Sequence, residues 1–152
     1  NTIFSLFDEL AEKHQVEKIK TIGDAYMVAA GMPSPVGDPV QRIADMALDM
    51  QNAAQEMSGK LPEGLQIRIG LHAGPAVAGV IGNKKLFYDV WGEAVNTASR
   101  MESHSKPGRI QVTSPVHAEL CGDYIFEERG TVEVKGIGAV ETWWLIGKKM
   151  SA

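Results

Sequence analysis

The chain of 152 residues contains a single cysteine, Cys121, so it cannot close an internal disulfide. The thiol suits a reducing compartment, and a buried structural role is expected for it. Long apolar runs are also missing: the longest are cut short by glycine or charge, which excludes a membrane-spanning helix. No charged start, apolar core and small-residue cleavage site opens the chain, so no secretory leader is expected. A basic excess is lacking too. With 15 basic residues against 19 acidic and a formal net charge of −4, the chain does not read as a nucleic-acid binder, which usually carries a basic stripe. Lys84-Lys85 and Lys148-Lys149 are the adjacent lysine pairs, and both read as solvated surface. A polyanionic ligand would have to be met by a few well-placed cations.

What is there is ordinary globular composition, 44 % apolar and 22 % charged, in a length that suits one domain with a real core. Ile3, Phe4, Phe7, Leu10 and Ala11 recur at helical spacing and predict a helix over residues 2–14. Residues 16–21 and 26–30 are strand-like and flank Ile22-Gly23-Asp24-Ala25, which predicts a β-hairpin with Asp24 at or beside its tip. Residues 31–37 form a loop by their glycines and prolines. Asp38 then reads as an N-cap, with Pro39 at the first helical position and Gln41 completing a capping box. The helix it opens runs to Ser58-Gly59, with Val40, Ile43, Ala44, Ala47, Leu48 and Gln51 on one face.

Strands are predicted over 65–72, 76–81 and 87–90, and a helix over 92–103. A strand at 110–112, a short helix at 115–120, and strands at 124–129, 132–134 and 142–146 complete the chain. Strands interleaved with helices and joined partly by hairpins indicate an α+β sandwich, with helices packed on a mostly antiparallel sheet.

Taken singly, no polar residue is decisive. Asp24 after Gly23 is the usual chemistry of a turn. Lys20 could face solvent, and Arg68 could pair with Glu17 or Glu133 across a sheet surface. Asn96 and Arg100 share one helix face. His14, His72, His104 and His117 have no metal-like spacing and read as structural or exposed.

The combination is more telling. Residues 87–92, Phe-Tyr-Asp-Val-Trp-Gly, run directly into residues 93–102, Glu-Ala-Val-Asn-Thr-Ala-Ser-Arg-Met-Glu. Residues 16–27 hold Lys20-Thr21-Ile22-Gly23-Asp24, residues 67–74 read Ile-Arg-Ile-Gly-Leu-His-Ala-Gly, and residues 134–138 read Val-Lys-Gly-Ile-Gly. These four motifs, in this order and over essentially the whole chain, resemble the catalytic domain of class III adenylate and guanylate cyclases. The resemblance implies one catalytic domain over residues 1–148, with a ferredoxin-like, palm-like version of the α+β sandwich. It implies conversion of ATP to 3′,5′-cyclic AMP and pyrophosphate, assisted by two divalent ions, Mg²⁺ or Mn²⁺. By the same resemblance Asp24 is a metal ligand, Lys20 and Asp89 read the purine, Asn96 orients the ribose and Arg100 stabilises the α-phosphate. Arg68 and Lys135 hold the β- and γ-phosphates.

Guanylate cyclases usually carry Glu and Cys where this chain has Lys20 and Asp89, so the resemblance implies adenine as the base. Each chain carries both the purine and phosphate residues and a metal aspartate, which implies a homodimer with two shared active sites. The family's first metal aspartate lies on a strand before the first helix, and neither Asp8 nor Glu9 replaces it. The sequence is therefore expected to begin inside a larger, cytoplasmic protein or the cytosolic part of a membrane-bound one, with a regulatory or membrane domain upstream. A catalytically silent module that dimerises and binds nucleotide is the alternative reading. A generic ferredoxin-like binding domain explains the element order but gives no reason for the motifs.

Overall fold

Ile3, Phe7 and Ala11 are the buried stripe of helix α1 (Thr2–Lys13) in the computed structural model of the chain, which describes residues 2–32, 35–61, 64–81 and 87–150. This stripe packs against helix α2 (Pro39–Ser58), whose Ala44, Ala47 and Met50 join the same core. Pro39 starts α2 as expected. The expected capping box does not form: Asp38 Oδ1 accepts from Arg42 Nε at 2.7 Å, an i,i+4 pair that draws the carboxylate away from the helix N–H groups. Gln41 Oε1 is instead buried without a hydrogen bond among the described residues.

Between the helices lies the predicted hairpin, strands β1 (Glu17–Ile22) and β2 (Ala25–Ala29). Gly23 takes φ +58°, a left-handed position open to glycine at little cost, and this lets two residues turn the chain with Asp24 at the tip. The ladder slips once: Lys18 pairs Val28, and Lys20 pairs Met27, leaving Ile19 as a bulge. A bulge re-aims the side chains around it. Lys18 consequently reaches Asp8 on α1 at 3.0 Å, while Lys20 turns away from α1.

Strands β3 (Ile69–Leu71), β4 (Val77–Ile81) and β5 (Phe87–Trp91) come next, then helix α3 (Glu93–Ser103). Strand β6 (Ile110–Thr113), helix α4 (Ser114–Leu120), and strands β7 (Tyr124–Val134) and β8 (Gly138–Lys148) follow. One sheet has the order β3-β6-β8-β7, with β3–β6 parallel and the other pairs antiparallel; β4 and β5 pair separately. Helices on a mostly antiparallel sheet make the fold α+β, as the sequence pattern indicates. All four residues of β6 are buried because both faces are covered. Ile110 and Val112 join the α1–α2–α4 core, while Gln111 donates to the Met101 carbonyl of α3 at 3.0 Å. Gly70 lets α3 press directly on β3: a Cβ there would lie 2.1 Å from the Glu102 nitrogen.

Several expectations need correction. Of the strand expected over 65–72, only Ile69–Leu71 is regular. Leu65 and Ile67 are half-buried, but their backbone bonds go to the Ser58 hydroxyl and the Gly108 N–H rather than to a ladder. The two strands expected at 124–129 and 132–134 are one, β7, with a register shift between Glu128 and Gly130 where a break was expected. Cys121 is exposed, not buried, because it caps the outer end of α4, where its carbonyl accepts from Lys149 Nζ. Lys148 stands 3.7 Å from Asp45, and Lys84-Lys85 lie outside the described residues. No described helix is long and apolar enough to cross a membrane.

His72 gives the fold a pH dependence. Its Nδ1 lies 2.7 Å from Thr113 Oγ1, and burial holds its pKa below the ordinary 6.5. As pH falls through 6.5 the unfolded chain takes up a proton that the folded chain refuses. Stability is therefore full above 6.5 and is lost as pH drops toward the lower folded value. Urea midpoints measured from pH 7.5 to 5 should fall for the wild type, and His72→Gln should flatten that fall. Parallel curves would remove His72 as the cause.

Candidate active site

The bulged strand β1 delivers Lys20 to strand β5. Its Nζ stands 3.0 Å from both oxygens of Asp89, 69 positions further along the chain. Asp89 Oδ1 also accepts from the Val90 N–H at 2.8 Å. The Lys20 ammonium first, and then that N–H, hold the Asp89 carboxyl below the usual carboxylate range, so a full negative charge faces the lysine. The carboxylate is largely covered and the lysine is partly open. A donor and an acceptor are thus fixed side by side, a pattern that reads the edge of a planar ligand carrying the complementary pair.

From β5 the chain passes through Gly92 straight into α3, whose first turn closes with the Asn96 N–H on the Gly92 carbonyl at 3.1 Å. One exposed face of α3 presents Asn96, Ser99 and Arg100. The turn between β7 and β8 brings Lys135, Gly136 and Ile137 opposite, and the two elements enclose an open groove of about 370 Å³. Neither Arg100 nor Lys135 has an ion-pair partner among the described residues. Two unpaired cations with an amide and a hydroxyl beside them suit a phosphate-bearing ligand.

Of the residues singled out from sequence, the structure joins Lys20 to Asp89, and gathers Asn96, Arg100 and Lys135 around the groove. It leaves two apart. Asp24 stands exposed at the hairpin tip with no hydrogen bond or ion pair among the described residues. Arg68 does not reach the groove, and it pairs with neither Glu17 nor Glu133: its guanidinium meets Glu102 at 2.9 Å, on the last turn of α3. Ser99 was not anticipated, although its place directly before Arg100 on the helix could have suggested it. Nor was Ile137, a groove residue that only the β7–β8 turn brings into reach. Three of the histidines make contacts within the scaffold: His14 bonds Asp49 at 2.7 Å, His72 lies against Thr113, and His117 stacks on Trp143.

The other polar clusters serve the scaffold. Asp8, on α1, accepts from Tyr26 at 2.6 Å and from Lys18, so it is committed to holding the hairpin against the helix. Large apolar side chains are exposed on the elements that carry the site: Ile22 beside Asp24, Val77, Val80, Ile81 and Trp91 on β4–β5, and Ile137 beside Lys135. Among the described residues no three His, Cys, Asp or Glu side chains gather as a metal cage.

A family model for the adenylate and guanylate cyclase catalytic domain matches residues 1–147. The chain is similar to an adenylate cyclase of Mycobacterium bovis, 49 % identical over 150 residues that take in 99 % of this chain and 34 % of that protein. It is 45 % identical over 148 residues to the guanylate cyclase soluble subunit beta-2 of Rattus norvegicus, covering 96 % of this chain and 22 % of that one. The crystal structure of the guanylate cyclase domain of RhGC from Catenaria anguillulae, in complex with GTP, superposes with a TM-score of 0.89. Identity there is 37 %, over 98 % of this chain and 82 % of that one. The chain thus spans about a third of the first of these curated relatives, and less of the second.

Proposed function

The chain belongs to the adenylate and guanylate cyclase catalytic domain family, and within that family we propose that it acts on ATP, forming 3′,5′-cyclic AMP and pyrophosphate. The observation that carries the choice of base is the Lys20–Asp89 pair. Adenine offers a ring nitrogen that accepts from the ammonium and an exocyclic amine that donates to the carboxylate. Guanine presents the opposite pattern along that edge, and its carbonyl would face Asp89 with like polarity. A site built on buried hydrogen-bonding groups rejects the mismatched ligand because those groups go unpaired.

In this reading Asn96 orients the ribose, and Arg100 lies where the α-phosphate gains charge as the 3′-oxygen attacks it. The bond from the 3′-oxygen to the α-phosphorus forms as the 3′-hydroxyl gives its proton to water and the bond to the bridging oxygen of the β-phosphate breaks. Lys135 takes up charge on the departing pyrophosphate. None of these residues forms a covalent bond; they position and they stabilise charge. Arg68 is held by Glu102 and is left out of this set.

Asp24 fits a hard divalent ion as one ligand of several. It offers an exposed carboxylate with no protein partner among the described residues, and Mg²⁺ typically takes one or two carboxylates together with substrate phosphates. Asp24 would hold such an ion, Mg²⁺ or Mn²⁺, whose chemistry would be to neutralise phosphate charge and make the attacking hydroxyl more acidic. Asp24 does not line the groove that holds Arg100 in its own chain, and this supports a homodimer in which the tip of one chain completes the groove of the other. The exposed apolar residues beside Asp24 and Lys135 are the surface such a dimer would cover.

The test of the base assignment is Lys20→Glu combined with Asp89→Cys. ATP turnover should fall sharply and the relative use of GTP should rise. An unchanged preference for ATP in the double variant would mean that the pair does not read the base.

A further inference from the structure

Arg129, in the middle of β7, does not line the groove, yet its guanidinium is held by two acceptors and a ring face. It donates to the backbone carbonyl of His104 and to Gln111 Oε1. It also lies 4.6 Å from the centre of the buried Trp144 ring, which Arg109 faces at the same distance. Gln111 is fully buried and spends its own amide N–H on the carbonyl of Met101. Both acceptors, Met101 and His104, belong to the C-terminal end of α3, and helix C-terminal carbonyls favour a cation beside them.

The connection runs on to the groove. His104 is the residue that caps α3, and its N–H donates to the carbonyl of Arg100 at 2.9 Å. Residue 104 therefore links the two, its carbonyl accepting from the Arg129 guanidinium and its N–H donating to the backbone of Arg100. We propose that Arg129 is a positioning residue for Arg100: by holding the His104 carbonyl, with Gln111 holding Met101, it sets how far the Arg100 end of α3 advances toward the groove. Gly70 sets the sideways approach of the same helix, since α3 rests on it with no room for a side chain. Together these contacts fix the helix in two directions. One guanidinium nitrogen, Nη1, gives both hydrogen bonds while the planar group lies over the Trp144 ring, a stacking that a compact ammonium matches less well.

This inference rests on the assignment of Arg100 to nucleotide turnover, and the experiment separates the inference from that assignment. Arg129→Gln, Arg129→Lys, Arg100→Ala and the Arg129→Gln/Arg100→Ala double variant are compared in the full-length protein. Each is assayed with ATP and with GTP, and amide hydrogen exchange is followed over residues 100–105. Arg129→Gln should lower kcat about tenfold to a hundredfold with KM nearly unchanged, because a reacting group displaced by an ångström loses rate rather than binding. Arg129→Lys should recover part of that loss. In the Arg100→Ala background the added change should cost no more than about twofold, since residues acting as one unit are not additive. Exchange over residues 100–105 should quicken in Arg129→Gln, while β7–β8 amides stay protected.

Losses that multiply in the double variant would show that Arg129 acts independently of Arg100, and would overturn the proposal. So would unchanged exchange over residues 100–105. If Arg129→Gln does not fold, Arg129→Lys is read by the same two criteria. A wild-type protein that turns over neither nucleotide would sink the assignment of function alone, and the exchange result would still decide the positioning role.

Discussion

Arg100→Ala is expected to lower kcat by on the order of 100-fold or more, with KM for ATP shifted far less. Arg100 lies exposed on α3 and has no carboxylate partner among the described residues, so its removal disturbs neither packing nor an ion pair. On the proposed mechanism, the charge it meets is the charge that appears as the α-phosphorus becomes five-coordinate. Interactions made mainly in the transition state show up in kcat and leave ground-state binding alone. Asn96→Ala should behave likewise. Steady-state kinetics with MgATP checks both, and a variant with normal kcat but a raised KM would move Arg100 from the reaction to simple substrate binding.

An effect of similar size, in the opposite direction, is expected on mixing two inactive variants of the full-length protein. In the proposed homodimer Asp24→Ala removes a metal ligand from both sites, and Arg100→Ala removes the arginine from both. Each should be nearly inactive alone. In a heterodimer both defects would fall into one site if, as proposed, the hairpin tip of one chain serves the groove of the other, and the second site would be wild type. Activity should return on mixing, rise with the heterodimer fraction and stay below that of the unmutated protein. A chain with all its residues acting in cis could not show this. No recovery, with subunit exchange demonstrated, would rule out the shared site.

Much of this arrangement is legible in the sequence because local chemistry and final structure agree. The α1 stripe, Pro39 at the start of α2, and the Gly23-Asp24 turn need nothing beyond their own neighbours. The run from Asp89 through Gly92 to Arg100 is read the same way, since one strand feeds one helix. The features that escape are decided by partners distant in the chain. Nothing in residues 16–21 announces the bulge at Ile19, yet it sends Lys18 to α1 and Lys20 to Asp89. Strict alternation would have placed the two lysines on one face. Arg68 has several carboxylates within plausible reach in the sequence, and only the docking of α3 on β3 selects Glu102. Cys121 has the composition of a buried residue, but α4 ends just before it and turns it outward. Gly130 looks like a strand breaker, and the sheet absorbs it as a register shift within β7.

The most direct test of the central claim is a competition assay on the wild-type full-length protein, given equal concentrations of ATP and GTP in Mg²⁺ and again in Mn²⁺. With Lys20 and Asp89 reading the base, cyclic AMP should be the dominant product in both metals. Cyclic GMP as the dominant product would contradict the assignment of adenine, and nucleotide binding without either product would make the chain a silent, nucleotide-sensing module.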